Sequence, residues 1–196
     1  MVITLPCPPS ASDEQLLRCF AAGDRPALEE LFRRYRLPAY RVAYRLLGNE
    51  ADALDAVQDG FVKALTHLRS FQGRSSFKTW LLRVVSNASL DLGRQRGRRD
   101  VLRLDLAEHN DNPDKSLTTP DVTTHGLERS DLRARIDAAL ARLSEAHRQT
   151  FVLHADAELS YREVADTLGI SIGTVMSRLY YARLKLREYL SERDLS

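Results

Sequence analysis

Four carboxylates and no cation occupy residues 49–59: Glu50, Asp52, Asp55 and Asp59. The stretch 74–103 reverses the sign, with Arg74, Lys78, Arg83, Arg94, Arg96, Arg98, Arg99 and Arg103 against only Asp91 and Asp100. A run of acids suits a basic protein surface, and a run of cations suits a polyanion. Phe71, Trp80 and Asn87 lie before and among these cations. That mixture fits single-stranded DNA, because cations follow the phosphates while aromatic faces stack on unpaired bases. Formal net charge is only +2, so the distribution of charge along the chain is informative and the total is not.

Bond-making chemistry finds no support. The sequence has no glycine-rich phosphate loop, no HExxH and no GxSxG. Cys7 and Cys19 form no CxxC and have no histidine at metal-ligand spacing, which marks them as free thiols in a reducing compartment. His147 and His154 share a helix face, but such a pair is usually structural. The expectation is a protein that is not an enzyme and needs neither metal nor cofactor. The opening residues MVITLPCPPSAS lack a basic start and are broken by prolines, and no run approaches a membrane span, so a cytoplasmic protein without membrane insertion is expected.

The elements that must hold these groups are all helical. Ser12 and Gln15 form a capping box for a helix near 13–22. Pro26 sits in the first turn of the next helix, which carries Leu28, Leu31, Phe32, Tyr35, Val42 and Leu46 and which Pro38 should kink or split. After Gly48, Leu54, Val57, Phe61, Leu65 and Leu68 form an apolar stripe from which Asp52, Asp55 and Asp59 fall away. Gly60 inside that helix costs about 1 kcal/mol relative to Ala and should soften it. Ser76 can cap a fourth helix carrying Phe77, Trp80, Leu81, Val84, Val85, Ala88 and Leu92, whose far end should dissolve into Gly93 to Arg99. Phe77 and Trp80 share its apolar stripe and belong to the core, which leaves Phe71 and Asn87 for contact with DNA.

Residues 104–126 lose periodicity and read as a linker. A helix resumes near Leu127 to Leu143, and Ser144 caps another carrying Phe151, Val152 and Ala155. Ser160 and Glu163 then form a second capping box, Gly169 ends that short helix, and Ser171 starts the last one. Cap, short helix, glycine turn and second cap in this order make a helix-turn-helix. On the last helix Val175, Leu179, Ala182, Leu186 and Leu190 form one face, while Met176, Ser177, Tyr180 and Tyr181 point the other way between Arg178, Arg183, Lys185 and Arg187. Such a helix can lie in a major groove with its cations on phosphates. The expected fold is therefore all-α: a tail at 1–11, a helical domain at 12–103, the linker at 104–126, and a helix-turn-helix domain at 127–196.

The segment DALDAVQDGFVKAL followed by LRSFQGRSSFKTWLLRVVSNASLDLGRQRGRR resembles the second conserved region of bacterial sigma factors. LSEAHRQTFVLHADAELSYREVADTLGISIGTVMSRLYYARLKLRE resembles their fourth. Lacking the first region and a full third domain, the chain is similar to the extracytoplasmic-function group. The resemblance implies that Asp52, Asp55, Gln58 and Asp59 dock on the clamp helices of the largest subunit of core RNA polymerase, with the fourth region on the flap of the second-largest. It implies that Phe71, Val84 and Asn87 line a pocket for a base flipped from the minus-ten element, while Lys78, Arg83 and Arg94 hold the melted backbone. Ser171, Thr174, Met176, Ser177, Arg178, Tyr180, Tyr181 and Arg183 would meet the minus-thirty-five element. Relatives usually carry a basic residue where this chain has Met176 and often another at Tyr181, so the arginine fork that reads guanine is missing there. The free chain would be a monomer, and an anti-sigma protein would be a further partner. Taken by itself, the C-terminal half fits equally a helix-turn-helix regulator that acts without being a polymerase subunit.

Overall fold

Ser12 opens the first helix as its spacing requires: its hydroxyl accepts from the Gln15 backbone at 3.3 Å, and its own N–H donates to the Gln15 side chain at 2.8 Å. The computed structural model describes residues 11–104 and 127–191, so nearly all of the expected tail and linker, Cys7 included, lies outside the described residues. Within them the chain runs α1 (Asp13–Ala21), α2 (Arg25–Leu47), α3 (Glu50–His67), a 3-10 turn at Leu68–Ser70, α4 (Phe77–Leu104), α5 (Leu127–Ala141), α6 (Glu145–Ala155), α7 (Tyr161–Leu168) and α8 (Ile172–Ser191). The described residues contain no strand, and the fold is all-α.

Three details of the N-terminal half differ from the sequence expectation. Pro38 does not split α2, which continues to Leu47 and ends on Gly48 in the left-handed region at φ 77°. Leu31 on one side of the proline and Ala39 and Val42 on the other are all buried, so packing holds both halves in line across the missing N–H. Helix α4 also does not dissolve at Gly93 but reaches Leu104. Arginine is a good helix former, and cations near a helix C-terminus oppose the negative end of its dipole. Arg96 further pins the extension to α3 through an ion pair with Asp52.

The third difference is the phase of α3. Leu54 and Leu65, expected inside, are 54% and 47% exposed, whereas Ala53, Ala56, Val57, Gly60 and Ala64 are buried. A seam of small residues lets α4 approach closely. A Cβ placed on Gly60 would come within 2.9 Å of the Val85 backbone and 2.8 Å of its side chain. Gly60 is therefore a packing residue, not a soft spot. Gly60→Ala is expected to destabilise the protein by about 1–3 kcal/mol through overpacking, despite alanine's better helix propensity. A urea titration in which the alanine variant proves the more stable would refute this.

In the C-terminal half Ser144 sits at the start of α6 without a side-chain cap, its hydroxyl instead meeting His147 Nδ1 at 2.8 Å. Ser160 does form the expected box with Glu163, and Gly169 closes α7 at φ 66°. Ser171 caps α8 by accepting from the Thr174 backbone at 3.1 Å. Removing a box of this kind costs about 1 kcal/mol. Ser160→Ala should lower the stability of the helix-turn-helix by that amount in thermal unfolding, and no change would contradict the cap.

The two groups of helices share a core. Ala39, Val42, Ala43 and Leu46 of α2 and Leu82 and Val85 of α4 belong to one buried cluster with Val152 and Leu153 of α6, Val164 of α7 and Val175 and Leu179 of α8. The second half of α2 meets α5 and α6. At that seam Arg45, 14% exposed, donates to Asp137 at 2.7 Å and to Asp156 at 2.5 Å. Burial opposes the charge on Arg45, and the two carboxylates more than offset it, holding its pKa above the ordinary value. Asp156 Oδ2 is buried there without a hydrogen-bond partner among the described residues, a cost that weakens the seam.

Candidate nucleic-acid interface and docking surface

Helix α3 presents Asp55, Gln58 and Asp59 to solvent. Asp59 pairs with Lys63 at 2.8 Å, an exposed i,i+4 pair of the kind worth about 0.3–0.5 kcal/mol and therefore easily exchanged for another partner. Asp52 departs from the expectation that it faces outward. It is 3% exposed, its backbone N–H donates to the Asn49 side chain at 2.8 Å, and its carboxylate is held by Asn49 and by Arg96. With its carboxylate turned into the α3–α4 junction, Asp52 braces the helix and cannot offer charge to a partner. Apolar side chains stand in its place, unexpected from the sequence: Leu54, Val62 and Leu65, all about half exposed, lie beside the acids. The small residues at 53, 56, 60 and 64 are the signal that could have set the phase correctly. Between α3 and α4 a cleft of about 390 Å³ is lined by Asp55, Asp59 and Lys63 on one side and Asp91, Arg94 and Arg98 on the other.

At the start of α4 three rings cluster. Phe71 lies 5.2 Å from Trp80 and 6.0 Å from Phe77, and Phe77 lies 5.8 Å from Trp80, measured between centroids. Phe77 is buried as expected, whereas Phe71 and Trp80 are half-buried. Trp80, half-buried Val84 and exposed Asn87 follow one another at i, i+4 and i+7 on one side of α4, and Phe71 packs on the tryptophan at the start of that row. The cations expected beside them are engaged. Lys78 pairs with Glu158, Arg83 lies 3.5 Å from Glu163, and Arg94 lies 3.2 Å from Asp91. Glu158 and Glu163 belong to the C-terminal half. The Glu163 carboxyl is held below its ordinary pKa by the Ser160 backbone N–H first, with Ser160's hydroxyl and Arg83 adding to it against the effect of burial.

Helix α8 buries Val175, Leu179, Ala182 and Leu186. Its opposite side is open: Met176, Tyr180 and Tyr181 are 55%, 64% and 52% exposed, and Ser177 and Arg183 are exposed as well. Ser171 and Thr174 serve the cap, their hydroxyls 2.9 Å apart, and Arg178 is half-buried. The helix thus presents an uncovered face with cations at its edges, the arrangement a groove-binding helix requires.

The two histidines have separate structural tasks. His154 Nδ1 lies 2.8 Å from the Leu159 carbonyl with its ring 4.9 Å from Tyr161, and His147 bonds Ser144. Burial, then Lys185 and Arg178, push the His147 pKa below the ordinary imidazole value. Among the described residues no group of His, Cys, Asp and Glu could hold a metal ion, and no helix is long and apolar enough to cross a membrane.

Comparison with known proteins gives this geometry a family context. The chain matches the family models for Sigma-70 region 2 at residues 31–99 and Sigma-70, region 4 at residues 133–186. It is 37% identical over 176 residues to the ECF RNA polymerase sigma factor SigE of Mycolicibacterium smegmatis, a match covering 88% of this chain and 66% of that protein, just under two thirds of its length. It is 32% identical to the RNA polymerase sigma factor YlaC of Bacillus subtilis, covering 86% of this chain and 94% of that one. Among solved structures it is similar to the sigma factor RpoE in complex with the anti-sigma factor NepR from Bartonella quintana, with a TM-score of 0.58, 26% identity, and coverage of 83% of this chain and 98% of that one.

Proposed function

The chain belongs to the extracytoplasmic-function sigma factors of bacterial RNA polymerase, and from that premise we propose how its surfaces divide the work of directing the polymerase to promoters. A sigma factor is an initiation factor rather than an enzyme. Residues 12–103 form the unit that docks on core polymerase and opens the minus-ten element, and residues 127–196 form the unit that reads the minus-thirty-five element. Asp55, Gln58 and Asp59, with Leu54, Val62 and Leu65, engage the clamp helices of the largest subunit. Apolar contacts supply the driving force there, and the carboxylates select a basic partner. The C-terminal unit rests on the flap of the second-largest subunit, and the complex works in the cytoplasm.

Phe71, Trp80, Val84 and Asn87 receive an unstacked base, which the rings can hold at roughly 1–3 kcal/mol per stacking contact. Lys78, Arg83 and Arg94 follow the phosphates. Two of these cations are paired with Glu158 and Glu163 in the arrangement described here, so the halves separate before the template is gripped. The closed arrangement also offers a form that an anti-sigma partner can hold.

The observation that carries this reading is that the α3 acidic face and the outward face of α8 remain uncovered while the two units are packed together. A regulator acting without polymerase would hold its operator alone. On duplex promoter fragments the isolated chain is expected to give no stable shift, and core enzyme plus the chain to retain the same fragments. Tight, sequence-specific retention by the chain alone would favour the independent regulator.

A further inference from the structure

The outward face of α8 is unusual for a surface that reads DNA because its centre is apolar. Met176 and Tyr180 lie one helical turn apart and are 55% and 64% exposed, with Leu184 at 49% one turn beyond. The amide and guanidinium forks that read adenine and guanine edges are missing from these positions. Cations do flank the strip: Arg183 and Arg187 line the same shallow cleft as Met176, Tyr180 and Leu184. Glu188 is the only acid in α8. A face this apolar, framed by cations on a capped helix, suits a polyanion that carries methyl groups in its groove. Duplex DNA has such groups, on C5 of thymine.

We infer that Met176 and Tyr180 read thymine methyl groups in the minus-thirty-five element, so that this factor selects A·T pairs where an arginine would have selected guanine. The inference rests on the promoter-binding reading and specifies its chemistry. The two side chains are separated by about 6 Å along the helix, which is under two base-pair steps of about 3.4 Å. They therefore address neighbouring pairs. Tyr181 acts as a positioning residue: its ring meets Tyr180 edge-on at 5.4 Å and lies 6.4 Å from His147, which limits where the Tyr180 ring can go.

The test uses holoenzyme made from core polymerase and the full chain. Selection from a library randomised across the minus-thirty-five element is expected to enrich A·T pairs at two neighbouring positions. Replacing each selected thymine by uracil removes only the methyl group and should weaken promoter binding by about three- to fivefold per methyl, the equivalent of one buried carbon. Met176→Ala, an exposed substitution that leaves the fold intact, should bring the thymine-to-uracil ratio at one position to about one, and Met176→Arg should shift selection there towards G·C. Enrichment of G·C at both positions, or equal binding of thymine and uracil by the unmodified chain, would overturn the inference while leaving promoter recognition standing. Failure of the holoenzyme to select any sequence would remove the promoter reading itself.

Discussion

Arg45→Ala in the full chain is expected to release the C-terminal helices from the N-terminal bundle. Arg45 makes direct ion pairs with both Asp137 and Asp156 at the seam, where Arg41 also feels both carboxylates, and the Arg45 side chain is 14% exposed. Removing one side of a buried ion pair leaves the other uncompensated and costs about 3–5 kcal/mol. Asp137 is 35% exposed and regains water when the arginine goes, so the lower end applies. About 3 kcal/mol is roughly a hundredfold change in the balance between closed and open forms. A compact chain of 196 residues has a radius of gyration near about 16 Å, and separated halves exceed it clearly in small-angle scattering. Because opening frees Lys78 and Arg83 from Glu158 and Glu163, the variant should also form open promoter complexes at least as readily as the parent. An unchanged radius of gyration would contradict the account of the seam. Arg45→Met combined with Asp137→Asn and Asp156→Asn removes the ion-paired charges together, leaving Arg41 beside neutral amides, and should remain more closed than Arg45→Ala.

The second large effect concerns docking. Asp55→Lys with Asp59→Lys replaces exposed carboxylates by like charges facing a basic partner, which should weaken binding to core polymerase at least about thirtyfold, with no loss of helix content. Asp52→Lys should behave differently. Position 52 is 3% exposed and already faces Arg96, so a lysine there buries an unpaired cation beside another and should unfold the α3–α4 junction. Asn87→Ala, on the other face of the molecule's work, should leave core affinity intact and slow promoter opening. If Asp55→Lys/Asp59→Lys and Asn87→Ala weakened core binding equally, the division into two surfaces would be wrong.

The sequence carried the elements well and their contacts less well. Capping boxes at Ser12 and Ser160 and the left-handed glycine at 169 are local devices, legible because each is settled within four residues. The phase of α3 was not, because two stripes compete on that helix. Large side chains at 54, 57, 61, 65 and 68 dominate any hydrophobicity pattern, yet the close approach of Val85 to Gly60 requires the small-residue stripe inside. That choice is made by α4, which lies beyond any local window. The same shift turned Asp52 inward and left Leu54 and Val62 for a partner. On α8 the two faces were legible outright, since only one of them is continuous in large aliphatic residues. The seam at Arg45 left no sequence signal, because Asp137 and Asp156 lie 92 and 111 residues away.

One division organises the molecule: an acidic and apolar face on α3 for the polymerase, and the surfaces of α4 and α8 for the template. Mapping transcript 5′ ends made by core enzyme on bacterial DNA, with and without this chain, tests it most directly. The predicted result is a new set of starts that share one upstream motif and vanish with Asp55→Lys/Asp59→Lys. Identical starts in the presence and absence of the chain would contradict it.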